Sequence, residues 1–211
     1  MGLGAKFMSA QLTFYTNPRS RGRIARWMLE EVGQPYETVI LEYGGSMKEP
    51  EYMAINPMGK VPAIRHGEVT ITECAAICAY LADAFPEAGL APVLSDRGPY
   101  YRWLFFAAGP VEAATTNRSL GFELTSEQES MAGYGNYGCV LATLEGIFAE
   151  RSYVAGDSFT AADVYVGSQV MWGMSFGSIE RRPVFEGYVK RVQKREAYLR
   201  AQELDGPMGS G

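Results

Sequence analysis

Histidine is almost missing from this sequence, because only one of its 211 residues, His66, is a histidine. A serine–histidine–aspartate hydrolase, or a metal site built from several histidines, would need histidine at other positions, so these classes are excluded. Residues 65–68 contain a glycine between two apolar, strand-like runs and therefore predict a hairpin turn. We expect His66 to be a solvated residue of that turn.

Cysteine is also scarce, since Cys74, Cys78 and Cys139 are too few for a disulfide scaffold and indicate free thiols in a reducing compartment. No run of about 18 apolar residues predicts a membrane span. Residues 1–10 lack the apolar core of a signal peptide and predict a flexible extension, and residues 206–211 predict a loose tail. We therefore expect a cytoplasmic protein.

Basic residues are outnumbered, with 19 Lys and Arg against 24 Asp and Glu and a net charge of −5. This excess of negative charge argues against a general nucleic-acid-binding protein. Apolar residues make up 47% of the chain and charged residues 20%, as in ordinary soluble globular proteins. The chain is long enough to bury a sizeable core in one large domain or two small ones.

A change of pattern divides the sequence near its middle. Residues 11–86 alternate strand-like and helix-like segments, which predicts an α/β domain. Residues 86–96 contain two prolines and one glycine and predict a linker. Residues 97–205 show helical spacing of apolar residues without strand signals, which predicts an all-α domain.

Two local motifs carry specific predictions. In SFTAADV, residues 158–164, Thr160 is expected to cap a helix and Asp163 to return the hydrogen bond, a capping box whose role is folding. In GKVPAI, residues 59–64, Pro62 stands at the start of a predicted strand, where it cannot donate a ladder hydrogen bond. The residues alone leave a cis and a trans bond before Pro62 equally open.

These motifs, together with TECAAICAYLAD at residues 72–83, resemble the glutathione S-transferases over about residues 11–200. The first helix opens with P-x-S-R and is similar to that of cytosolic bacterial and fungal members. Cys74 departs from the family, which usually has serine at this position. The resemblance implies a thioredoxin-like α/β domain followed by an all-α domain, a homodimer, and glutathione as co-substrate with no metal.

The resemblance also implies how glutathione binds. A cis Val61–Pro62 bond would turn the backbone of Val61 outward to pair with the cysteine of glutathione, as in strand addition. Glu73 would bind the α-ammonium group, and the amide groups that open the helix at residues 73–75 would bind the α-carboxylate. Cys74 offers only a weak S–H donor in place of a serine hydroxyl.

Two lysines are candidates for the glycine carboxylate of glutathione. Lys60 lies inside the GKVPAI motif and Lys48 precedes it. The alternative for each is an ordinary solvated surface lysine.

Activation of the glutathione thiol is assigned to the segment after the first strand. Asn17-Pro18-Arg19-Ser20 takes the place of Cys-x-x-Cys in thioredoxin-like domains, and the missing cysteines exclude dithiol exchange by a local pair. A hydroxyl or amide donor remains, with Ser20 and Asn17 leading and Thr16 and Tyr15 following. Asn17 also suits a helix N-cap, with Pro18 as the first helical residue. The nearby arginines at 19, 21 and 23 either serve an anion site or form a solvated face.

The electrophile is expected to bind between the domains, against the first helix of the all-α domain, where aromatic side chains suit an apolar small molecule. The leading function is a transferase that activates glutathione for attack on an electrophilic carbon or a peroxide oxygen, as in detoxification. The alternatives are a non-catalytic binding protein for glutathione and apolar ligands, and a glutathione-dependent disulfide reductase. The predicted lining residues are Tyr101, Arg102, Phe105, Phe106 and Glu112.

Overall fold

A computed structural model of the chain describes residues 11–207. The predicted extension at residues 1–10 and the last part of the predicted tail, residues 208–211, lie outside this range. The described range divides into two compact units: one contains residues 11–91 together with residues 195–207, and the other contains residues 92–194. No helix of the described range is long and apolar enough to cross a membrane.

Four strands and ten α-helices make up the described part of the chain. The strands are β1 (Leu12–Thr16), β2 (Glu37–Ile40), β3 (Ala63–His66) and β4 (Val69–Thr72). The helices are α1 (Gly22–Val32), α2 (Pro50–Met53), α3 (Cys74–Ala84), α4 (Arg97–Phe106), α5 (Glu112–Ser119), α6 (Ser126–Met131), α7 (Tyr137–Glu150), α8 (Ala161–Phe176), α9 (Pro183–Val192) and α10 (Glu196–Asp205). A π-helical turn, Ala107–Val111, joins α4 to α5.

The first unit is built on one mixed sheet with the strand order β2-β1-β3-β4. Strand β1 pairs parallel to β2 and antiparallel to β3, and β3 pairs antiparallel to β4. Alternation along β1 buries Leu12 and Phe14 on one face, while Tyr15 contacts the cluster around Tyr52 on the other. This sheet with its flanking helices confirms the predicted thioredoxin-like α/β fold of the N-terminal region.

Helix α10 packs on helix α1 and therefore belongs to the first unit, whereas the sequence predicted one helical domain over residues 97–205. The ring of Trp27 meets that of Tyr198 edge to face at 5.0 Å. The guanidinium of Arg195 donates two hydrogen bonds, of 2.6 and 2.7 Å, to the carboxylate of Glu31. Helical spacing predicts that α10 is a helix, but it carries no information about which helix covers its apolar face.

His66 is buried, so the prediction of a solvated turn residue is wrong. It is the last residue of β3, opposite Leu12 of β1 and Val69 of β4, and it is only 1% exposed. Its Nδ1 lies 3.0 Å from the hydroxyl oxygen of Tyr80. The hairpin turn begins one residue later, at Gly67, whose φ of 60° suits a glycine.

The second unit is all-helical within the described range, and helix α8 is almost completely buried in it. The capping box at the start of α8 is confirmed: the Thr160 amide donates to Asp163 Oδ2 at 2.9 Å. Asp163 Oδ1 accepts from the Val154 amide at 2.9 Å and from the Tyr188 hydroxyl at 2.8 Å. Burial raises the pKa of Asp163, and it raises that of Tyr188 well above its ordinary value.

Candidate active site

The loop before β3 is held by two buried side chains. The Tyr52 hydroxyl and the Asn56 amide donate to the carbonyl oxygen of Lys60 at 2.6 and 2.7 Å. The Val61–Pro62 peptide bond that follows is cis, which confirms the prediction. Pairing of β3 with β4 begins only at Ala63, so the backbone of Val61 lies outside the ladder. An extended ligand can therefore use it for hydrogen bonds.

Glu73 is the only non-glycine residue of the described range with a positive φ, 66° with ψ 121°. Such a conformation costs on the order of 1–3 kcal/mol and is found most often at functional sites. Glu73 is the N-cap of α3, its side chain is exposed, and it makes no side-chain cap hydrogen bond. Because Thr72 pairs with Ala63, Glu73 lies beside the loop that contains Val61.

Cys74 connects this corner to the segment before α1. It is 7% exposed, and its Sγ donates to the carbonyl oxygen of Arg21 at 3.6 Å. Cys78, one turn further along α3, is completely buried, and this burial raises the pKa of its thiol. The thiol of Cys74 therefore contacts the chain at Arg21, close to the predicted thiol-activating residues.

The segment Asn17 to Arg21, here called the N-terminal turn, is tightly hydrogen-bonded. Asn17 Nδ2 donates to the Leu41 carbonyl at 2.8 Å, and its Oδ1 accepts from the Arg19 amide at 2.9 Å. Ser20 Oγ donates to the Asn17 carbonyl at 2.7 Å and accepts from the Gly22 amide at 2.9 Å. Asn17 and Ser20 are each 6% exposed, so the structure brings the two leading candidates together in one turn.

The predicted N-cap role of Asn17 is wrong. Helix α1 begins at Gly22, its N-cap is Arg21, and no side chain caps it. The side chain of Asn17 instead closes a turn onto the amide two residues later, which competes with helix formation at this point. Pro18 is accordingly in the turn and not in the first position of the helix.

The two weaker candidates for thiol activation flank the end of β1. Thr16 is completely buried, and its hydroxyl has no hydrogen-bond partner within residues 11–207. A β-carbon at Gly22 would overlap that hydroxyl, so only glycine fits there. Tyr15 is half-buried, and its ring lies 5.7 Å from that of Tyr52.

The arginines of this region have different environments. Arg19 and Arg21 are exposed, whereas Arg23 and Arg26 are 4% and 5% exposed. Arg23 therefore forms neither a solvated face nor an open anion site, because its guanidinium donates to the Pro18 carbonyl at 3.0 Å and to oxygen atoms at the end of α10.

The two lysines also differ. Lys48 Nζ donates to the carbonyl oxygens of Gly59 at 2.9 Å and of Met58 at 3.4 Å, so it braces the loop before β3. The side chain of Lys60 is exposed, while its carbonyl oxygen is held by Tyr52 and Asn56. Sequence reasoning missed Tyr52 and Asn56; the signal for Asn56 was its place in NPMGKVP, directly before the motif.

The residues predicted to line an electrophile pocket lie on helix α4, except Glu112, which is the first residue of α5. Phe105 is 73% exposed and Tyr101 41%, whereas Phe106 is half-buried. Glu112 is half-buried, and its Oε2 accepts from Gln169 Nε2 at 3.4 Å. The guanidinium of Arg102, itself exposed, lies 4.8 Å from the ring centre of Trp103.

A cavity of about 520 Å³ in the second unit is lined by none of these residues. Its wall includes Asn117, Arg118, Tyr134 and Tyr137, from α5, α7 and the segment between them. Within the described residues, no cluster of three or more His, Cys, Asp or Glu side chains is arranged to hold a metal ion.

Comparison with known proteins finds sequence similarity to a family model and to individual relatives. The family model described as "Glutathione S-transferase, N-terminal domain" matches residues 10–83. Glutathione S-transferase F10 of Arabidopsis thaliana is 30% identical over 170 residues, which cover 72% of this chain and 76% of the relative. Glutathione S-transferase GST-4.5 of Xanthomonas campestris pv. campestris is 26% identical over 178 residues, 79% of this chain and 84% of the relative.

Solved structures share the fold along most of both chains. A sphingomonad glutathione S-transferase complexed with glutathione superposes with a TM-score of 0.74 at 27% identity, covering 92% of this chain and 98% of that one. A glutathione transferase from Methylococcus capsulatus superposes with a TM-score of 0.75 at 25% identity, again covering 92% and 98%.

Proposed function

The chain belongs to the glutathione S-transferase family, and from that premise we propose that it binds glutathione and activates its thiol for attack on an apolar electrophile. The observation that carries this proposal is the corner where Val61 and Glu73 meet. There a backbone segment outside the sheet ladder adjoins an exposed carboxylate and the start of α3.

In the proposed complex, the N–H and C=O of Val61 pair with the cysteine backbone of glutathione, and Pro62 shapes the loop behind them. The carboxylate of Glu73 binds the α-ammonium group. The α-carboxylate binds the amide groups at the start of α3, where the helix dipole favours an anion. The sphingomonad relative whose structure contains glutathione supports this choice of ligand.

Cys74 contributes little to that contact in our proposal, because its thiol is directed to the Arg21 carbonyl. Of the two lysines, Lys60 is the better candidate for the glycine carboxylate. Its ammonium group is exposed, whereas that of Lys48 is held by the Gly59 carbonyl.

Ser20 and Asn17 are our candidates for donors to the thiolate, followed by Thr16 and Tyr15. The single hydroxyl proton of Ser20 is directed to the Asn17 carbonyl, so Ser20 must rotate its hydroxyl to serve a ligand. Asn17 uses one of its two amide protons for Leu41, which leaves the second for a thiolate. Lowering a thiol pKa from about 8.5 by two units requires about 2.7 kcal/mol, so more than one donor is expected to act.

The electrophile is proposed to contact the side chains of α4 and the start of α5, where Tyr101, Phe105 and Phe106 offer apolar surface and Glu112 a polar group. We also propose a homodimer, as in the family. Light scattering that reports about 23 kDa, the mass of one chain, at micromolar concentration would contradict the dimer.

One panel of assays tests the function. We expect glutathione to bind by calorimetry and the protein to conjugate it to a chloro-nitroaromatic substrate. Binding without turnover on carbon or peroxide substrates would identify a binding protein. Reduction of mixed disulfides without conjugation would identify a reductase, although neither cysteine of a local dithiol pair is present. Absence of glutathione binding would overturn the proposal.

A further inference from the structure

Arg23 joins the N-terminal turn to the end of α10 within the first unit. Its Nη1 donates to the Pro18 carbonyl at 3.0 Å and to the Asp205 carbonyl at 3.5 Å. Its Nη2 donates to Gln202 Oε1 at 3.0 Å and to the Gly206 carbonyl. The planar guanidinium of Arg23 thus donates to one acceptor in the N-terminal turn and to three acceptors in residues 202–206. It therefore couples the geometry of the turn to that of the C-terminal segment.

The charged groups around Arg23 are Arg26, Asp205 and Glu30, whose charge acts on Asp205, and the cluster is incompletely paired. Arg26 Nε lies 3.2 Å from Asp205 Oδ1, and both side chains are buried. Within the described residues, Asp205 Oδ2 and Arg23 Nε have no hydrogen-bond partner. Burial raises the pKa of Asp205, and the two arginines act against that rise. Buried polar atoms without partners cost stability, which argues that this cluster serves a purpose other than stability.

The anchored carbonyl lies inside the turn that holds the candidate thiol-activating groups. Pro18 directly follows Asn17, and Ser20 is tied back to Asn17 by hydrogen bonds from both its amide, at 3.0 Å, and its hydroxyl, at 2.7 Å. A displacement of the Pro18 carbonyl therefore moves both side chains together. A charge-assisted hydrogen bond depends on placement, and an error of about 1 Å is enough to weaken catalysis strongly.

We propose that Arg23 is a positioning residue: it fixes the N-terminal turn against the C-terminal segment so that the donors of Ser20 and Asn17 meet the glutathione thiolate. This inference rests on the proposed function. It assigns to residues 202–206 a part in thiol activation that they perform without touching the ligand.

The test compares three variants with the wild-type protein. Arg23→Met removes both the charge and the hydrogen bonds. Arg23→Lys keeps the charge but loses the planar fork that reaches both segments. Arg195→Met is the matched control, because Arg195 also ties α10 to α1, through both carboxylate oxygens of Glu31.

The readout is the ultraviolet thiolate absorbance of bound glutathione, titrated with pH, beside calorimetric affinity. We expect Arg23→Met and Arg23→Lys to raise the pKa of the bound thiol by about one unit. Their glutathione affinity should change by less than about threefold, because the ammonium and carboxylate contacts are elsewhere. Arg195→Met should titrate like wild type. If Arg23→Met does not fold, Gln202→Ala removes one of the ties and should give a smaller shift in the same direction.

Unchanged thiol pKa values in the Arg23 variants, with glutathione still bound, would overturn the positioning role and leave the proposed function intact. A shift in Arg23→Met that is absent in Arg23→Lys would also overturn it, because charge alone would then explain the effect. Wild-type protein that fails to bind glutathione would overturn the proposed function and the role of Arg23 with it.

Discussion

Helix α8 of the second unit begins with a buried carboxylate that accepts several hydrogen bonds, whereas helix α3 of the first unit begins beside an exposed carboxylate. At α8, the completely buried Asp163 accepts hydrogen bonds from Thr160, Val154 and Tyr188. At α3, Glu73 makes no side-chain cap hydrogen bond and has a positive φ. The first arrangement stabilises the fold, and the second leaves amide groups and a carboxylate for a ligand. Removing each carboxylate should therefore have opposite consequences.

The largest effect is expected from Asp163→Ala. The substitution leaves four donors, the amides of Val154 and Thr160 and the hydroxyls of Thr160 and Tyr188, without their acceptor. Each buried donor costs about 1–3 kcal/mol, so the free energy of unfolding should fall by about 4 kcal/mol or more. Urea denaturation measures it.

Gln128→Ala is the matched control for that experiment, because Gln128 returns the hydrogen bond in an exposed capping box at α6. It should cost less than about 1 kcal/mol. If the two variants lose similar amounts of unfolding free energy, the buried capping box at α8 is no more stabilising than the exposed one at α6.

Glu73→Gln should show the reverse pattern, with folding retained and ligand affinity lost. A glutathione ammonium left without its carboxylate should cost about 2–5 kcal/mol of binding free energy, measured by calorimetric titration. Glu68→Gln, in the same hairpin with its side chain 98% exposed, is the control and should bind like wild type. Unchanged affinity in a folded Glu73→Gln protein would remove Glu73 from the site.

Ser20→Ala tests the N-terminal turn of the first unit, where the thiol of glutathione is proposed to be activated. If Ser20 donates to the thiolate, its loss should raise the pKa of bound glutathione by roughly one to two units, with binding mostly intact. Asn17→Ala should give a smaller shift. Ser119→Ala, which removes an exposed hydroxyl that donates to the Thr115 carbonyl, should give none. If neither variant of the turn shifts the pKa, backbone amides and Arg21 become the candidates, and Arg21→Ala is the next protein to titrate.

The smallest expected effect is the pH dependence of the stability that Asp163 contributes at the start of α8. Burial raises the folded-state pKa of Asp163 above its ordinary value of 3.8, so the folded protein holds this proton more tightly than the unfolded chain. The contribution of Asp163 to stability is therefore fully present below 3.8 and is lost as the pH rises through the folded pKa. As the pH rises above 3.8, the wild-type advantage over Asp163→Asn should shrink in urea denaturation. An advantage that grows over this range would contradict the sign.

The sequence predicted features that depend on residues close together in the chain. The capping box of Thr160 and Asp163 is one, because its two partners are three residues apart. The order of strands and helices is another. The cis bond before Pro62 followed from family resemblance and not from the residues alone.

Features decided by distant partners were predicted less well. His66 was assigned to a turn because a glycine follows it, whereas the register of β3 against β1 and β4 makes it a buried strand residue. The bracing of the Lys60 carbonyl by Tyr52 and Asn56 depends on the fold of the loop. The roles of Ser20, Asn17 and the other site residues remain predictions.

The packing of α10 on α1 has a consequence for synthesis on the ribosome. Residues 196–205 emerge only after the whole second unit, residues 92–194, which takes on the order of ten seconds at usual elongation rates. During that interval the surface of Trp27 that Tyr198 later covers has no partner from α10. Most of the first unit is therefore synthesised first, but the unit is completed last. A fusion or truncation that delays the docking of α10 should prolong the time for which this apolar face of α1 is exposed to chaperones or to aggregation.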